Sequence, residues 1–140
     1  PIGFACLSVG ALRRDGAAAQ ATLGNIAGKP PAFFRAPFGI RSPLLEPAIS
    51  PIPLRYVSWT RRGYDCASRS PKTILRRLTR GLAAGDILLL HDTAVSRTAA
   101  GVPVVLQVLP LLLQRIEAAG LRAVSLPLAL AEPSRARAGS

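Results

Sequence analysis

Three segments of the chain end in side chains that could carry out acid–base chemistry. Arg35 lies within Phe33–Gly39, Asp65 follows Trp59, and His91 follows an apolar run. An imidazole paired with a carboxylate can donate or accept a proton near neutral pH. A guanidinium at a strand end can fix a carboxylate through a bidentate bond. The residue types therefore predict an acid–base site with an aromatic wall.

Each of these residues, taken singly, has a simpler interpretation. A histidine after an apolar strand is more often structural, an arginine is more often a surface charge, and Trp59 is more often part of a core. The order and spacing of the three segments favour a site more than any one residue does.

The first element that the sequence predicts is a long helix. Ser8 is typical of an N-cap, and Gly28 with Pro30–Pro31 ends the helix and prevents its resumption. Apolar and small residues recur on one face at helical spacing. They are Leu12, Gly16, Ala19, Leu23 and Ile26.

Strands and further helices alternate along the rest of the chain. The predicted strands are Ala32–Arg35, Arg55–Trp59, Asp86–Leu90 and Arg122–Leu126. A brief helix starts at Ser42–Pro43, with proline at its first position, and runs to about Ser50. Thr60–Arg69 is a polar loop. A helix from Ser70–Pro71 ends at Gly85, and another covers about Val105–Ala119.

Two details of the last helical region are left open. Pro110 fits only near the first turn of its helix, which favours a later start than Val105. One more helical turn is compatible with the residues from Pro127 onward. Alternation of this kind is typical of a parallel sheet with crossover helices, whose carboxyl strand ends carry the chemistry.

Composition excludes several classes of protein. The chain has 140 residues, which suits one domain, and its best apolar run, Val102–Leu113, is too short for a membrane span. Two cysteines cannot form a disulfide framework, and we expect both thiols to be buried or half-buried. Because His91 is the single histidine, no metal site with several histidine ligands can lie within this chain.

The net charge raises the question of nucleic acid. Lys+Arg is 18 and Asp+Glu is 7, which gives +11. A basic surface of this kind can bind an anionic polymer. The arginines are scattered, however, and we find no stretch that interleaves them with aromatic residues, so nucleic-acid binding is not expected.

The motifs resemble those of the polysaccharide deacetylases, carbohydrate esterase family four. Arg35-Ala36-Pro37-Phe38-Gly39 is similar to that family's Arg-x-Pro-Tyr-Gly motif, and Leu89-Leu90-His91-Asp92 to its last motif. Trp59 with Asp65 is similar to the motif between them. The resemblance covers about residues 7–130 and implies α/β architecture, as about four C-terminal β/α units of a distorted seven- or eight-stranded (β/α) barrel.

The resemblance also implies a metal-dependent hydrolase that removes N-acetyl groups from an amino-sugar polymer or oligomer. His91 would be the general acid, Asp65 would hold and tune it, and Arg35 would position the base carboxylate. The backbone N–H near Phe38 would stabilise the oxyanion, while Leu89 and Trp59 would line the acetyl pocket. A divalent metal, zinc or similar, is the implied cofactor.

Two motifs of that family are not found. There is no Asp-Asp pair, and alignment places the second histidine of a His-x-x-x-His motif at or just before Pro1. We therefore expect that an upstream segment is missing, that this chain carries no metal ligands of that kind, and that alone it has little or no activity. An open half-barrel would also self-associate through its exposed edges.

Two other functions stay open at this point. One is a catalytically inactive remnant that binds glycan through Trp59 and the basic surface. The other is a basic module that binds nucleic acid. Residues 1–132 are assigned to the catalytic domain and 133–140 to a disordered basic tail. Members of the family are often secreted or held in the cell envelope, but the sequence does not fix the location of this chain.

Overall fold

The computed structural model describes residues 8–39 and 43–131, and it divides the chain into two compact units, Pro1–Ser58 and Trp59–Ser140. The predicted tail, Cys6 and Ser42 lie outside the described residues. Within the described ranges, no helix is both long and apolar enough to cross a bilayer.

The first unit begins with helix α1, Val9–Ala27. The Ser8 hydroxyl accepts a hydrogen bond from the Ala11 N–H at 3.3 Å, and Gly28 ends the helix with a φ of 71°. Both predicted ends are therefore confirmed, because each rests on a residue with a specific capping role. The predicted face is buried only in part: Leu12 is buried, whereas Leu23 and Ile26 are exposed.

A short βαβ unit follows α1. Strand β1 is Phe33–Phe34, helix α2 is Leu45–Ile49 and strand β2 is Arg55–Tyr56. A 3-10 turn, Pro37–Gly39, follows β1. The strands pair in parallel, with Phe33 opposite Arg55 and Phe34 opposite Tyr56. The core of this unit contains Ala36, Leu45 and Ile49, with Phe34 and Tyr56 packed against them.

The second unit repeats this pattern with longer helices. Strand β3 is Arg61–Arg62, helix α3 is Pro71–Thr79, strand β4 is Leu88–Leu89, helix α4 is Val104–Ala118 and helix α5 is Leu126–Ala131. Strands β3 and β4 are parallel, with Arg61 opposite Leu88 and Arg62 opposite Leu89. The core lies between α3 and α4. It is formed by Ile74, Leu78, Val104, Val108, Leu112 and Ile116.

Helix α3 confirms the predicted start and corrects the predicted end. The Ser70 hydroxyl accepts from the Thr73 N–H, and Pro71 occupies the first turn. The helix stops at Thr79 rather than at Gly85, since Arg80 turns to an extended conformation and Gly81 has a φ of 64°. Leu82 lies beyond the helix and still packs against the core of this unit.

Three predictions about the strands are wrong. Strand β3 lies inside the segment that was predicted to be a polar loop. Residues 122–125 are exposed and form no strand, and α5 begins at Leu126 instead. A strand needs a neighbour for its backbone hydrogen bonds, and the described residues offer none there. The described strands also form two two-stranded sheets rather than one.

The predictions that Pro43 and Pro110 lie in the first turns of their helices are wrong. Helix α2 begins at Leu45, two residues after Pro43. Helix α4 begins at Val104 and has Pro110 in its interior, not in its first turn. Proline removes one backbone hydrogen bond from a helix. Helix α4 tolerates that loss because a continuous stripe, Val104–Val108–Leu112–Ile116, is buried against α3.

Candidate active site

The structure joins Asp65 and His91 in one buried contact. The His91 ring Nδ1 lies 2.9 Å from the Asp65 Oδ1, and the His91 backbone N–H donates to the Asp65 Oδ2 at 2.8 Å. The Asp65 side chain is completely buried, whereas 30% of the His91 side chain is exposed. The pair therefore presents an imidazole to solvent while its carboxylate stays inside.

The register of β3 and β4 brings these residues together. Arg62 lies opposite Leu89, and the Gly63 N–H donates to the Leu89 carbonyl at 3.3 Å, which extends the ladder past the strand ends. Asp65 and His91 each follow within three residues of that point. Because the strands are parallel, both carboxyl ends open at the same edge, as the sequence predicted.

Gly63 is required by the close packing at this edge. A Cβ there would lie 2.9 Å from Ile74 Cγ2 and 3.1 Å from Leu90 Cδ2. Only a residue without a side chain fits between α3 and β4 at this distance. The packing of α3 thus fixes the backbone that leads to Asp65.

The pair has a defined hydrogen-bond direction. Asp65 accepts at both carboxylate oxygens, and an ionised carboxylate has no proton to donate. When Asp65 is ionised, the His91 Nδ1 is the donor, and Nε2 is then the ring nitrogen that can exchange a proton. This orientation suits a general acid or base whose other nitrogen is held in place.

The Arg35–Gly39 motif belongs to the first unit. The Arg35 side chain donates from Nε to the Val57 carbonyl and from Nη2 to the Ser58 carbonyl, both at 3.2 Å. These bonds fix the half-buried guanidinium at the end of β2. Phe38 lies in the 3-10 turn, whose Gly39 N–H donates to the Ala36 carbonyl.

Trp59 and Leu89 belong to the second unit with the Asp65–His91 pair. Leu89 is 8% exposed in β4, and Trp59 is half-buried. The Arg62 guanidinium carbon lies 5.4 Å from the centroid of the Trp59 ring. Sequence reasoning missed this partner because it found no interleaving of arginines and aromatics, although Arg61 and Arg62 lie between Trp59 and Tyr64.

The prediction that the Cys66 thiol is buried or half-buried is wrong. Cys66 is exposed and free. Partial loss of hydration raises the pKa of the Cys66 thiol, the Asp65 charge raises it further, and the Arg62 charge opposes both. The sulfur is therefore held as a thiol rather than as a nucleophilic thiolate.

Asp65, Cys66 and His91 are also the one group of possible metal ligands within residues 8–39 and 43–131. One atom from each lies within 4.8 Å of the others. The group does not fit a divalent metal well. Asp65 and the His91 Nδ1 are hydrogen-bonded to each other, so a metal bound by either group through these atoms would have to break that contact. We assign no metal to these three residues.

A second ion pair stabilises the opposite end of the same sheet. Arg61 Nε lies 2.6 Å from Asp86 Oδ2, and the Thr60 hydroxyl lies 2.7 Å from Asp86 Oδ1. Arg61 also donates to the Arg80 and Gly81 carbonyls. This pair fixes the start of the strands and belongs to the scaffold rather than to the site.

Comparison with known proteins gives a fold but no sequence family. No family model and no curated protein matches the chain. Among solved structures, the chain is similar to a family 4 carbohydrate esterase from Streptomyces lividans in complex with acetate, with a TM-score of 0.72 and 22% identity. The match covers 86% of this chain and 58% of that one.

Two deacetylases give the same result. A deacetylase solved with its substrate has a TM-score of 0.72 and 20% identity over 89% of this chain and 57% of that one. The peptidoglycan deacetylase PdaC from Bacillus subtilis, solved as a mutant, has a TM-score of 0.66 and 20% identity over 89% and 56%.

The resemblance predicted from the motifs is thus confirmed for the fold. The chain has an α/β fold with short parallel strands, like that of carbohydrate esterases and deacetylases. It spans a little over half the length of each of these structures.

Proposed function

We propose that this chain forms part of a carbohydrate N-deacetylase and supplies its general acid. One observation carries the proposal: a buried carboxylate, Asp65, holds a partly exposed imidazole, His91, where two parallel strands end. The likeness in fold to carbohydrate esterases and deacetylases supports it. The substrate class is an N-acetylated amino sugar in a polymer or oligomer.

The reaction is hydrolysis of an amide. The oxygen of a water molecule adds to the carbonyl carbon of the N-acetyl group while a base carboxylate takes one of its protons, and the bond from that carbon to nitrogen then breaks. The protonated His91 gives its Nε2 proton to the leaving nitrogen, which departs as an amine, while the acyl group leaves as acetate. Asp65 stabilises the imidazolium before the transfer and keeps Nε2 directed outward.

The remaining site residues take supporting roles in this proposal. Arg35 positions the carboxylate that acts as base, and the backbone N–H near Phe38 stabilises the developing oxyanion. Trp59 and Leu89 line the pocket for the acetyl group. Leu89 is apolar and buried, and it precedes His91 by two residues. Its side chain therefore suits contact with the methyl group of the acetyl substituent.

A divalent metal such as zinc is part of the proposal but not of the described site. When bound, such an ion would polarise the acetyl carbonyl and activate water. Its ligands would have to be residues other than Asp65, Cys66 and His91. We accordingly propose that the 140-residue chain alone has little or no deacetylase activity.

The test measures acetate release from an N-acetylated chitooligosaccharide by the protein in the form its source organism makes. His91→Ala should lower turnover by about a hundredfold to ten-thousandfold, the usual contribution of general acid catalysis. Thr93→Ala, in the exposed loop two residues further on, is the matched control and should leave turnover unchanged. If His91→Ala retains turnover, His91 is not the general acid.

A second function is glycan binding without catalysis. It is favoured by the exposed Tyr64 ring beside Arg62, because exposed aromatic rings can offer flat surfaces to a sugar. Titration of the chain with the same oligosaccharide separates the two proposals. Binding without acetate release from the full-length protein would favour the second.

We also propose that residues 1–132 form part of a catalytic domain and that residues 133–140 form a basic tail. The strands would belong to a partial (β/α) barrel. The chain would then self-associate through apolar surface that a complete barrel would cover. The exposed leucines of α4 support this.

A further inference from the structure

A basic and aromatic cluster lies next to the Asp65–His91 pair. The Arg62 guanidinium carbon is 4.8 Å from the centroid of the Tyr64 ring, and that of Arg77 is 5.3 Å from the same centroid. We call Arg62, Tyr64 and Arg77 the arginine–tyrosine cluster. Two cations are thus held against one ring, at distances typical of cation–π contacts.

The positive charge of the cluster is not neutralised by the described part of the chain. The ion pairs formed there are Arg61–Asp86 and His91–Asp65, and neither involves Arg62 or Arg77. Arg77 has one bond to the Gly63 carbonyl at 3.5 Å. Arg62 Nε is buried and has no hydrogen-bond partner. A buried donor without a partner is costly, so the position of the Arg62 guanidinium depends on its packing against the Trp59 and Tyr64 rings.

The backbone of Tyr64 supports the same conclusion. Tyr64 has a φ of 59°, in the left-handed region that a bulky residue rarely adopts. Its side chain is nevertheless 49% exposed, so burial of the ring does not offset the strain. Strained residues of this kind cluster at binding and catalytic sites. Here the strain turns the ring toward the two arginines.

The cluster is also close to the proposed reaction. Tyr64 directly precedes Asp65, and Arg62 lies opposite Leu89, two residues before His91. A group bound by the cluster would therefore sit beside a sugar whose acetyl group faces His91. Guanidinium groups bind carboxylates and phosphates through paired N–H donors.

From these observations we propose that the arginine–tyrosine cluster binds an oxyanion substituent, a carboxylate or a phosphate, carried by the N-acetylated glycan. The inference rests on the proposed function, because it assigns the glycan to the same edge of the sheet. The preferred substrate is then an acidic glycan rather than neutral chitin fragments. Tyr64 and Trp59 would contact the sugar rings while the arginines hold the charge.

Binding to the full chain tests this inference without any need for turnover. Isothermal titration compares a neutral chitooligosaccharide with carboxymethylated and phosphorylated oligomers of equal length. We expect the chain to bind one or both acidic oligomers at least about tenfold more tightly, which corresponds to about 1.4 kcal/mol. Comparison of the two acidic oligomers identifies which oxyanion is preferred.

Two neighbouring arginines of α3 provide a matched pair of variants. Arg77→Gln and Arg76→Gln each remove one positive charge from an exposed position of α3. Of these two arginines, Arg77 is the one that contacts the Tyr64 ring. Arg77→Gln should weaken binding of the acidic oligomer by about tenfold or more, and Arg76→Gln by less than about twofold. The Arg62→Lys variant keeps the positive charge but loses the paired N–H donors of the guanidinium. Provided that the variant folds, it should also bind the acidic oligomer more weakly.

Several results would overturn the inference. They are equal affinity for neutral and acidic oligomers, no binding of any oligomer, and equal losses in Arg77→Gln and Arg76→Gln. Binding of inorganic phosphate as tight as that of the acidic oligomer would remove the glycan from the assignment. Tighter, Arg77-dependent binding of a single-stranded oligonucleotide would assign the cluster to nucleic acid instead.

Failure of the proposed function gives a different pattern. If His91→Ala retains turnover while the acidic preference still depends on Arg77, the general-acid assignment fails and the anion subsite stands. If His91→Ala loses turnover and the acidic preference is absent, the deacetylase assignment stands and the subsite fails.

Discussion

The Asp65 carboxylate holds His91 at two points, the ring Nδ1 at 2.9 Å and the backbone N–H at 2.8 Å. The first contact orients the imidazole, and the second fixes the main chain from which it projects. One buried side chain thus determines both the direction of the catalytic group in our proposal and the course of the chain after β4. Any substitution of Asp65 should therefore alter stability as well as activity.

Asp65→Asn tests this double role. An amide retains one acceptor oxygen, so one of the two His91 donors loses its partner, which should lower the free energy of unfolding by about 1–3 kcal/mol. Asp92→Asn, an exposed neighbour of His91, is the control and should change it by less than about 0.5 kcal/mol. Urea unfolding followed by the fluorescence of Trp59, the single tryptophan, measures both. Equal stability of the two variants would contradict the role assigned to Asp65.

Gly63→Ala should strain the same edge of the sheet. Its new Cβ would lie 2.9 Å from Ile74 Cγ2 and 3.1 Å from Leu90 Cδ2, and overpacking of this kind usually costs about 1–3 kcal/mol. Gly10→Ala, in α1, meets nothing closer than Arg14 Nη1 at 3.7 Å and should instead stabilise the chain by about 0.5–1 kcal/mol. The melting temperatures of both variants, compared with that of the parent chain, test this prediction. A Gly63→Ala protein that melts with the parent would show that α3 and β4 can move apart.

Asp86 should make stability depend on pH in acid. Hydrogen bonds from the Arg61 side chain, the Ala83 N–H and the Thr60 hydroxyl lower the pKa of Asp86 from 3.8 to about 2. In this range the unfolded chain binds more protons than the folded chain, so folding is favoured as pH rises. The contribution of Asp86 is complete above pH 3.8 and is lost as pH falls through about 2.

Asp86→Asn should therefore flatten the dependence of the unfolding free energy on pH between those values. Asp15→Asn, on the exposed surface of α1, serves as the control and should leave the dependence in place. Chemical unfolding at a series of pH values provides the comparison. If the unfolding free energy of Asp86→Asn still depends on pH in this range, another carboxylate must be responsible.

The exposed stripe of α4 should promote self-association. Leu106, Leu109 and Leu113 are 61%, 45% and 47% exposed and recur at helical spacing on the side opposite the buried stripe. Replacement of all three by glutamine should shift the chain toward monomer in sedimentation velocity experiments at increasing concentration. Leu23→Gln, which removes an exposed leucine from α1, is the control. A parent chain that stays monomeric at all concentrations would contradict our proposal.

Both ends of α1 and the start of α3 were predictable because they are encoded locally. Ser8 and Ser70 each accept the capping hydrogen bond that the sequence indicated, and Gly28 adopts the left-handed conformation that ends α1. The interior of α4 was not predictable in this way. Burial of its stripe against α3 overrides the preference of Pro110 for a first turn, and that burial depends on residues distant in the chain.

Three of the four predicted strands contain an observed strand, β1, β2 or β4, whereas β3 was missed and the predicted strand at Arg122–Leu126 is not formed. Each described strand has two residues, too few for a period of alternation, and Arg61–Arg62 has the composition of a loop. Its pairing depends on Leu88–Leu89, across the whole of α3. Residues 122–125 have a strand-like composition but no strand partner within the described structure, and they are exposed and form no strand. Strand formation here is decided by partners rather than by propensity.

The site was predictable in its residue types and only partly in its contacts. The association of Asp65 with His91 followed from the position of both residues after parallel strands and from the resemblance. The involvement of Arg62, Tyr64 and Arg77 did not, since a contact between a strand and a helix depends on the left-handed turn at Tyr64. The placing of two arginines between Trp59 and Tyr64 was the signal that could have found it.

A short series of backbone hydrogen bonds connects this site to α4. The Ser96 N–H donates to the Asp65 carbonyl at 2.8 Å, and the Val104 N–H donates to the Ser96 carbonyl at 2.9 Å. Val104 is fully buried at the first turn of the helix. Opening of the loop between His91 and α4 must therefore break contacts at both of its ends together. The amide protons of Ser96 and Val104 should exchange with solvent at a common rate, and that rate reports how often the edge that carries Asp65 and His91 opens.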